Sequence, residues 1–321
     1  MSAFKAVVLG AAAFAAVQAH AADTFPARPV RMIVPSGAGG VTDVLGRILA
    51  HRLGENLGQQ VVIDNRPGAS GIVGSQIVAT AVPDGYTLLM VFPSHVVNPF
   101  LYKTMPYETE NAFAPITIVS TVSLLLTVNP DLPVKSTQEL IAYAKANPGK
   151  LNYGTVGSGS LGHLGAELFR SMSGTRMTQI AYKGSPQILA ALIGGEINMY
   201  MVASISGVMP QLKSGRVRAL GVSTKQALPV LPNVPPIADA LPGYEARGWN
   251  GILAPAGTPK HIIEKLHREI VKIVRSPEFA QNLMAEGATA VGNTPEEFAV
   301  VIRADMKKWG AVIKEAGIKG E

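Results

Sequence analysis

The residues of this chain best suited to chemistry are small ones, and they fall in two turns. Ser36, Gly37, Ala38, Gly39 and Gly40 follow the apolar run Val30–Val34. Val41, Val44, Leu45, Ile48, Leu49, Leu53 and Leu57 then recur at helical spacing, so the pattern predicts strand, glycine turn and helix. Small side chains let a ligand approach the backbone, and the unpaired N–H groups of a first helical turn favour an anion. Residues 36–42 are therefore read as a carboxylate cradle. The stretch 151–163 repeats the device: a strand at Leu151, Asn152 and Tyr153, a Gly/Ser/Thr turn, and a helix starting near Gly162. Hydroxyls at Thr155, Ser158 and Ser160, with Gly159 between them and free helix-start N–H groups, offer a second polar grip. Two such turns at strand ends, one per lobe, would hold a small acid by both ends.

Other chemistry fits these residues less well. A glycine turn can serve tight packing alone. Val61, Val62, Ile63 and Asp64 resemble the second strand and acid of a dinucleotide fold, but Thr42 stands where the third glycine should be. Hydrolase machinery is missing: there is no Gly-x-Ser-x-Gly elbow, no His-Glu-x-x-His, and no pair of histidines four apart on a helix. No catalytic residue, metal or cofactor is expected. The chain has no cysteine, which removes disulfides, thiolate metal sites and a lipid acceptor.

The elements that must position these turns follow from the rest of the chain. Residues 1–21 read as a secretory signal, with Lys5, an apolar stretch and Ala19-His20-Ala21 at the cleavage site. That stretch is too short to span a bilayer, so a mature chain without membrane insertion is expected in the periplasm. Without Lys5 the net charge falls from +6 to +5, an excess that favours acidic ligands; the scattered Lys and Arg residues give no nucleic-acid signature. With 47% apolar and 16% charged residues, the roughly 300 mature positions exceed one core and predict two lobes. Apolar runs at 30–34, 61–63 and 88–92 alternate with helical or turn-rich segments as a βαβ lobe. A long β-branched run, 116–128, passes to a second lobe with strands at 151–155, 178–182, 197–202 and 217–223. Residues 228–242, rich in proline, lead back to the first lobe, and three capped helices close the chain. The expected division is a signal at 1–21, lobe one at 22–121 and 224–321, and lobe two at 122–223.

In this order, several motifs resemble the periplasmic receptors of tripartite tricarboxylate transporters, also called Bug proteins. They include Pro29-Val30-Arg31, Gly39-Gly40-x-Thr42-Asp43, Asn65-Arg66-Pro67-Gly68-Ala69, Pro83-Asp84-Gly85-Tyr86, Tyr182-Lys183-Gly184 and Leu253-Ala254-Pro255-Ala256-Gly257-Thr258-Pro259. The resemblance implies an α/β, two-lobed type II periplasmic-binding-protein fold, each lobe a sheet flanked by helices and joined by two crossover segments. It implies a receptor that closes on a small carboxylate and delivers it to membrane permease subunits. By position, residues 36–40 with Ala69 would form the proximal grip, using backbone N–H groups and ordered waters. Thr155, Ser158, Ser160 and His163 would oppose them, with Lys183 nearby, and Ser94 and His95 would reach the cleft. The chain departs from the family where a Phe-Asp-Asn strand end is Met201, Val202 and Ala203 here. Val202 cannot pair an ammonium, so a ligand without an amino group and with some apolar character is expected. A sensor for a signalling partner and an exported hydrolase are the alternatives.

Overall fold

The structure is a computed structural model, and it describes residues 25–39, 41–285 and 287–319. The expected signal at 1–21 and Gly40 of the first turn lie outside the described residues. In chain order come β1 (Val30–Val34), α1 (Val41–Leu57), β2 (Val61–Asn65), α2 (Ile72–Ala79), β3 (Thr87–Val91), α3 (Ser94–Leu101) and β4 (Phe113–Ser123). Then follow β5 (Leu125–Val128), α4 (Thr137–Ala146), β6 (Leu151–Thr155), α5 (Leu161–Ser173), β7 (Met177–Ala181), α6 (Ser185–Ile193), β8 (Met199–Val202), α7 (Ile205–Lys213) and β9 (Arg218–Val222). The chain ends with β10 (Arg247–Pro255), α8 (Lys260–Val274), α9 (Pro277–Ala285), β11 (Ala288–Ala290) and α10 (Pro295–Ala316).

Two mixed sheets result, each flanked by helices, and they form the two lobes. The first has the order β11-β4-β10-β3-β1-β2, the second β7-β6-β8-β5-β9. β1 pairs in parallel with β2 and β3, whereas the late strand β10 inserts antiparallel between β3 and β4. Both faces of such a sheet are covered, which is why β1 and β3 are mostly apolar, Arg31 being the charged exception, paired with Asp64. α1 buries Leu45, Leu49 and Leu53, four residues apart, against a core shared with Leu266 and Ile270 of α8. Each such side chain contributes about 1.5–3 kcal/mol.

The lobes are joined where the β-branched run divides. β4 ends at Ser123, Leu124 is fully buried, and β5 begins in the other sheet. The return is later than the proline-rich stretch suggested. Residues 224–246 first run along the second sheet: Val222 N–H donates to Pro235 O, and Leu228 packs with Val222, Ile205 and Val208. Proline at these positions leaves few backbone donors to extend the sheet, so the segment lies on it as a strap. The crossings meet at Ser223, whose hydroxyl accepts from Leu124 N–H at 2.7 Å and donates to Ala246 O at 2.5 Å. Among the described residues no helix is long and apolar enough to cross a membrane.

Candidate functional site

The first turn leaves Gly37, Ala38 and Gly39 exposed at the end of β1. Its organiser is Asp43, in the first turn of α1 and 2% exposed. The Asp43 carboxylate accepts from Gly39 N–H at 2.8 Å, from Asn65 Nδ2 at 2.9 Å and from Arg47 Nε at 3.1 Å. Asn65 Nδ2 also donates to Ser36 O. Burial opposes ionisation of Asp43, but the hydrogen bonds from Arg47, Gly39 and Asn65 outweigh it and hold the acid down at about 2. Part of the cradle is thus occupied by the protein's own carboxylate, and the Gly39 N–H is committed to it. The Ser36 hydroxyl oxygen is buried without a hydrogen-bond partner.

Ala69 lies beside this turn in a single 3-10 turn, Ala69–Gly71, in which Ala69 and Ser70 hold φ of 44° and 53°. Left-handed backbone costs a residue with a side chain roughly 1–2 kcal/mol. It is held from α3: Ser94 Oγ and Asn98 Nδ2 both donate to Ser70 O, at 2.8 and 3.1 Å. Ser94 therefore shapes the loop. His95 turns the other way, buried between Tyr107 and Phe113 with neither ring nitrogen hydrogen-bonded. One helical step separates these two side chains by about 100°, enough to send one toward the loop and the other into the core.

Two hydroxyls of the second turn are engaged within the second lobe. Thr155 Oγ1 accepts from Gln179 Nε2 at 2.8 Å, and Ser160 Oγ caps α5 by accepting from His163 N–H while donating to Gly157 O. His163 is buried and its Nδ1 accepts from Gly159 N–H at 3.2 Å; burial pushes its pKa down. With Ser158, Glu167, Arg170 and Lys319 it lines a polar cavity of about 300 Å³ between the second lobe and residues 316–319. Glu167 there accepts from the Tyr153 hydroxyl and from both Nε and Nη2 of Arg170. Lys183 is exposed, one residue beyond Tyr182, whose N–H donates to Thr155 O, and Val202 is buried in β8.

A different pairing spans the lobes. A cavity of about 320 Å³ takes in Gly39, Val44 and Ile48 from the first lobe and Ala203, Ser204 and Ser206 from the second. Of the turn residues expected to share one site, it joins Gly39 and Ala203; Ser158 faces the other cavity. The reason is packing: Gly159 lies against Leu101 of α3, and Leu161 lies against Gly248 of β10, so lobe-one residues fill the space beside the second turn. The floor of the interlobe cavity is Ser120 and Asn250. Asn250 Nδ2 donates to Ser120 Oγ, and Asn250 Oδ1 accepts from the Thr42 hydroxyl, each at 3.2 Å. Neither floor residue belongs to a sequence motif; the one signal is Asn250 among Trp249, Ile252 and Leu253, in a strand, where asparagine is disfavoured.

Comparison with known proteins agrees with this architecture. Residues 45–318 match the family model described as tripartite tricarboxylate transporter family receptor. Protein BugT of Bordetella pertussis is 37% identical over 301 residues, covering 93% of this chain and 92% of its own length. A solved R. palustris structure with adipate is 37% identical with a TM-score of 0.78, over 92% of this chain and 100% of that one. MatC from Rhodopseudomonas palustris, with bound malate, is 28% identical with a TM-score of 0.74, over 90% and 100%. With its two lobes and a cavity between them, this chain belongs to the receptor family of the tripartite tricarboxylate transporters and is a solute receptor.

Proposed function

We propose that this receptor binds a small carboxylate between its lobes in the periplasm and hands it to the membrane permease of a tripartite transporter, with no chemistry of its own. The observation that carries the reading is the cavity bounded by Gly39 and α1 on one lobe and by residues 203–206 on the other, a space that both lobes must close to form. Its Gly39 end lies at the start of α1; Asp43 holds the Gly39 N–H, and the first-turn N–H groups that follow favour an anion. Adipate and malate in the two solved relatives are acids of the same class. The ligand lacks an amino group, because Val202 is apolar and, among the described residues, no carboxylate lines the cavity to meet an ammonium. The lobes divide near residues 121–124 and 222–247, and residues 224–246 move with the second lobe.

A thermal-shift screen of the mature protein tests this. Carboxylates at about 100 times Kd should add roughly 2.7 kcal/mol and raise Tm. Stabilisation by amino acids alone, or by no acid, would end the proposal.

A further inference from the structure

The interlobe cavity has a lining that its family name does not suggest. Among the described residues, none of the side chains around it is ionisable. The walls are Val44, Leu45 and Ile48 on α1 with Phe279 and Leu283 on α9. The floor is polar but neutral, the Ser120 hydroxyl and the Asn250 amide. Cations on the flanking helix are already engaged: Arg47 by Asp43 and Asn65, Arg52 by Glu278. At about 320 Å³ the space suits a body the size of one ring or a short chain, at the small end of ligand cavities.

A carboxylate moved from water into such a chamber would have no cation to pair with, and its desolvation would go uncompensated. An apolar body entering the same space removes its own surface and that of the walls from water. We propose that the ligand is a monocarboxylate whose uncharged, largely apolar body occupies this chamber, its one acid group remaining in water beside the exposed turn 37–39, whose Gly39 N–H Asp43 already holds. Ser120 and Asn250 then read a hydroxyl or carbonyl on that body, and ligands charged at both ends are discriminated against. This inference rests on the carboxylate reading above and narrows it.

Hexanoate and adipate differ only in the second carboxylate, so calorimetric titration of the mature protein with both, and with benzoate and citrate, separates the cases. Hexanoate or benzoate should bind at least tenfold more tightly than adipate or citrate. Adipate or citrate binding as well as the monocarboxylates would overturn the inference while leaving a carboxylate receptor standing. Binding of none of the four would remove both. Val44→Lys supplies the missing cation on the chamber wall, at a position 50% exposed and therefore tolerant of the change. It should shift the adipate-to-hexanoate affinity ratio at least tenfold toward adipate, and an unchanged ratio would show that the ligand body lies elsewhere.

Discussion

Asp43 and His95 show how differently two polar residues near one turn can be used. Asp43 keeps its charge because three donors converge on it, and its bond to Gly39 N–H in turn fixes the backbone of the turn. His95 has no donor or acceptor and is held neutral: burial lowers its pKa from 6.5 to about 4. A histidine depressed in the folded state binds its proton more readily when unfolded. Its contribution is therefore intact above pH 6.5 and is lost as pH falls toward 4, by about 3 kcal/mol. Urea denaturation at pH 7 and pH 4.5 should show a steep drop for the native protein. The drop should be smaller by most of that amount in His95→Phe, which keeps an aromatic ring against Tyr107 and Phe113. Equal slopes in the two proteins would show that another group sets the acid limb.

At the scale of elements, what was legible in the sequence depended on whether local pattern or tertiary pairing decided the outcome. β1, β6 and the capped helices α4 and α10 fall where apolar period and capping residues put them: Ser136 and Thr294 both accept from the N–H three residues on. β10 was not legible, because Gly248, Asn250 and Gly251 dilute its β propensity, and only its neighbours β3 and β4 hold it extended. The two glycine turns were legible as turns, but not their surroundings. That Asp43 would fill part of the first turn, or that α3 would press on the second, depends on contacts distant in sequence. Gly159 sits at one of these contacts with φ +74°, and an added Cβ would lie 2.5 Å from Leu101 Cδ1. Gly159→Ala should cost about 1–2 kcal/mol from backbone strain. It should also wedge the lobes apart, seen as a larger radius of gyration by small-angle scattering and weaker ligand binding. An unchanged radius would mean that Leu101 yields and the contact does not set closure.

For the whole molecule, the two lobes are less independent than two sheets imply. The largest core runs through both: Leu126 and Phe169 of the second lobe belong to the same cluster as Trp249, Phe298 and Trp309 of the first. α10 carries Trp309 and packs on α3 and β4 in one lobe and on α5 in the other. Unfolding one lobe would expose that shared surface, so the protein should melt in a single calorimetric transition. A closing motion of the lobes would pivot at the crossings, and Ser223 ties these together. It is fully buried, and its hydroxyl is partnered by Leu124 N–H and Ala246 O. Ser223→Ala leaves both without that partner and should cost about 1–3 kcal/mol. At roughly 2–4 °C per kcal/mol the Tm should fall by several degrees while the transition stays single. Two resolved transitions in the native protein would show that the lobes fold separately. Two in the variant alone would show that the Ser223 bridge, and not the shared core, is what couples them.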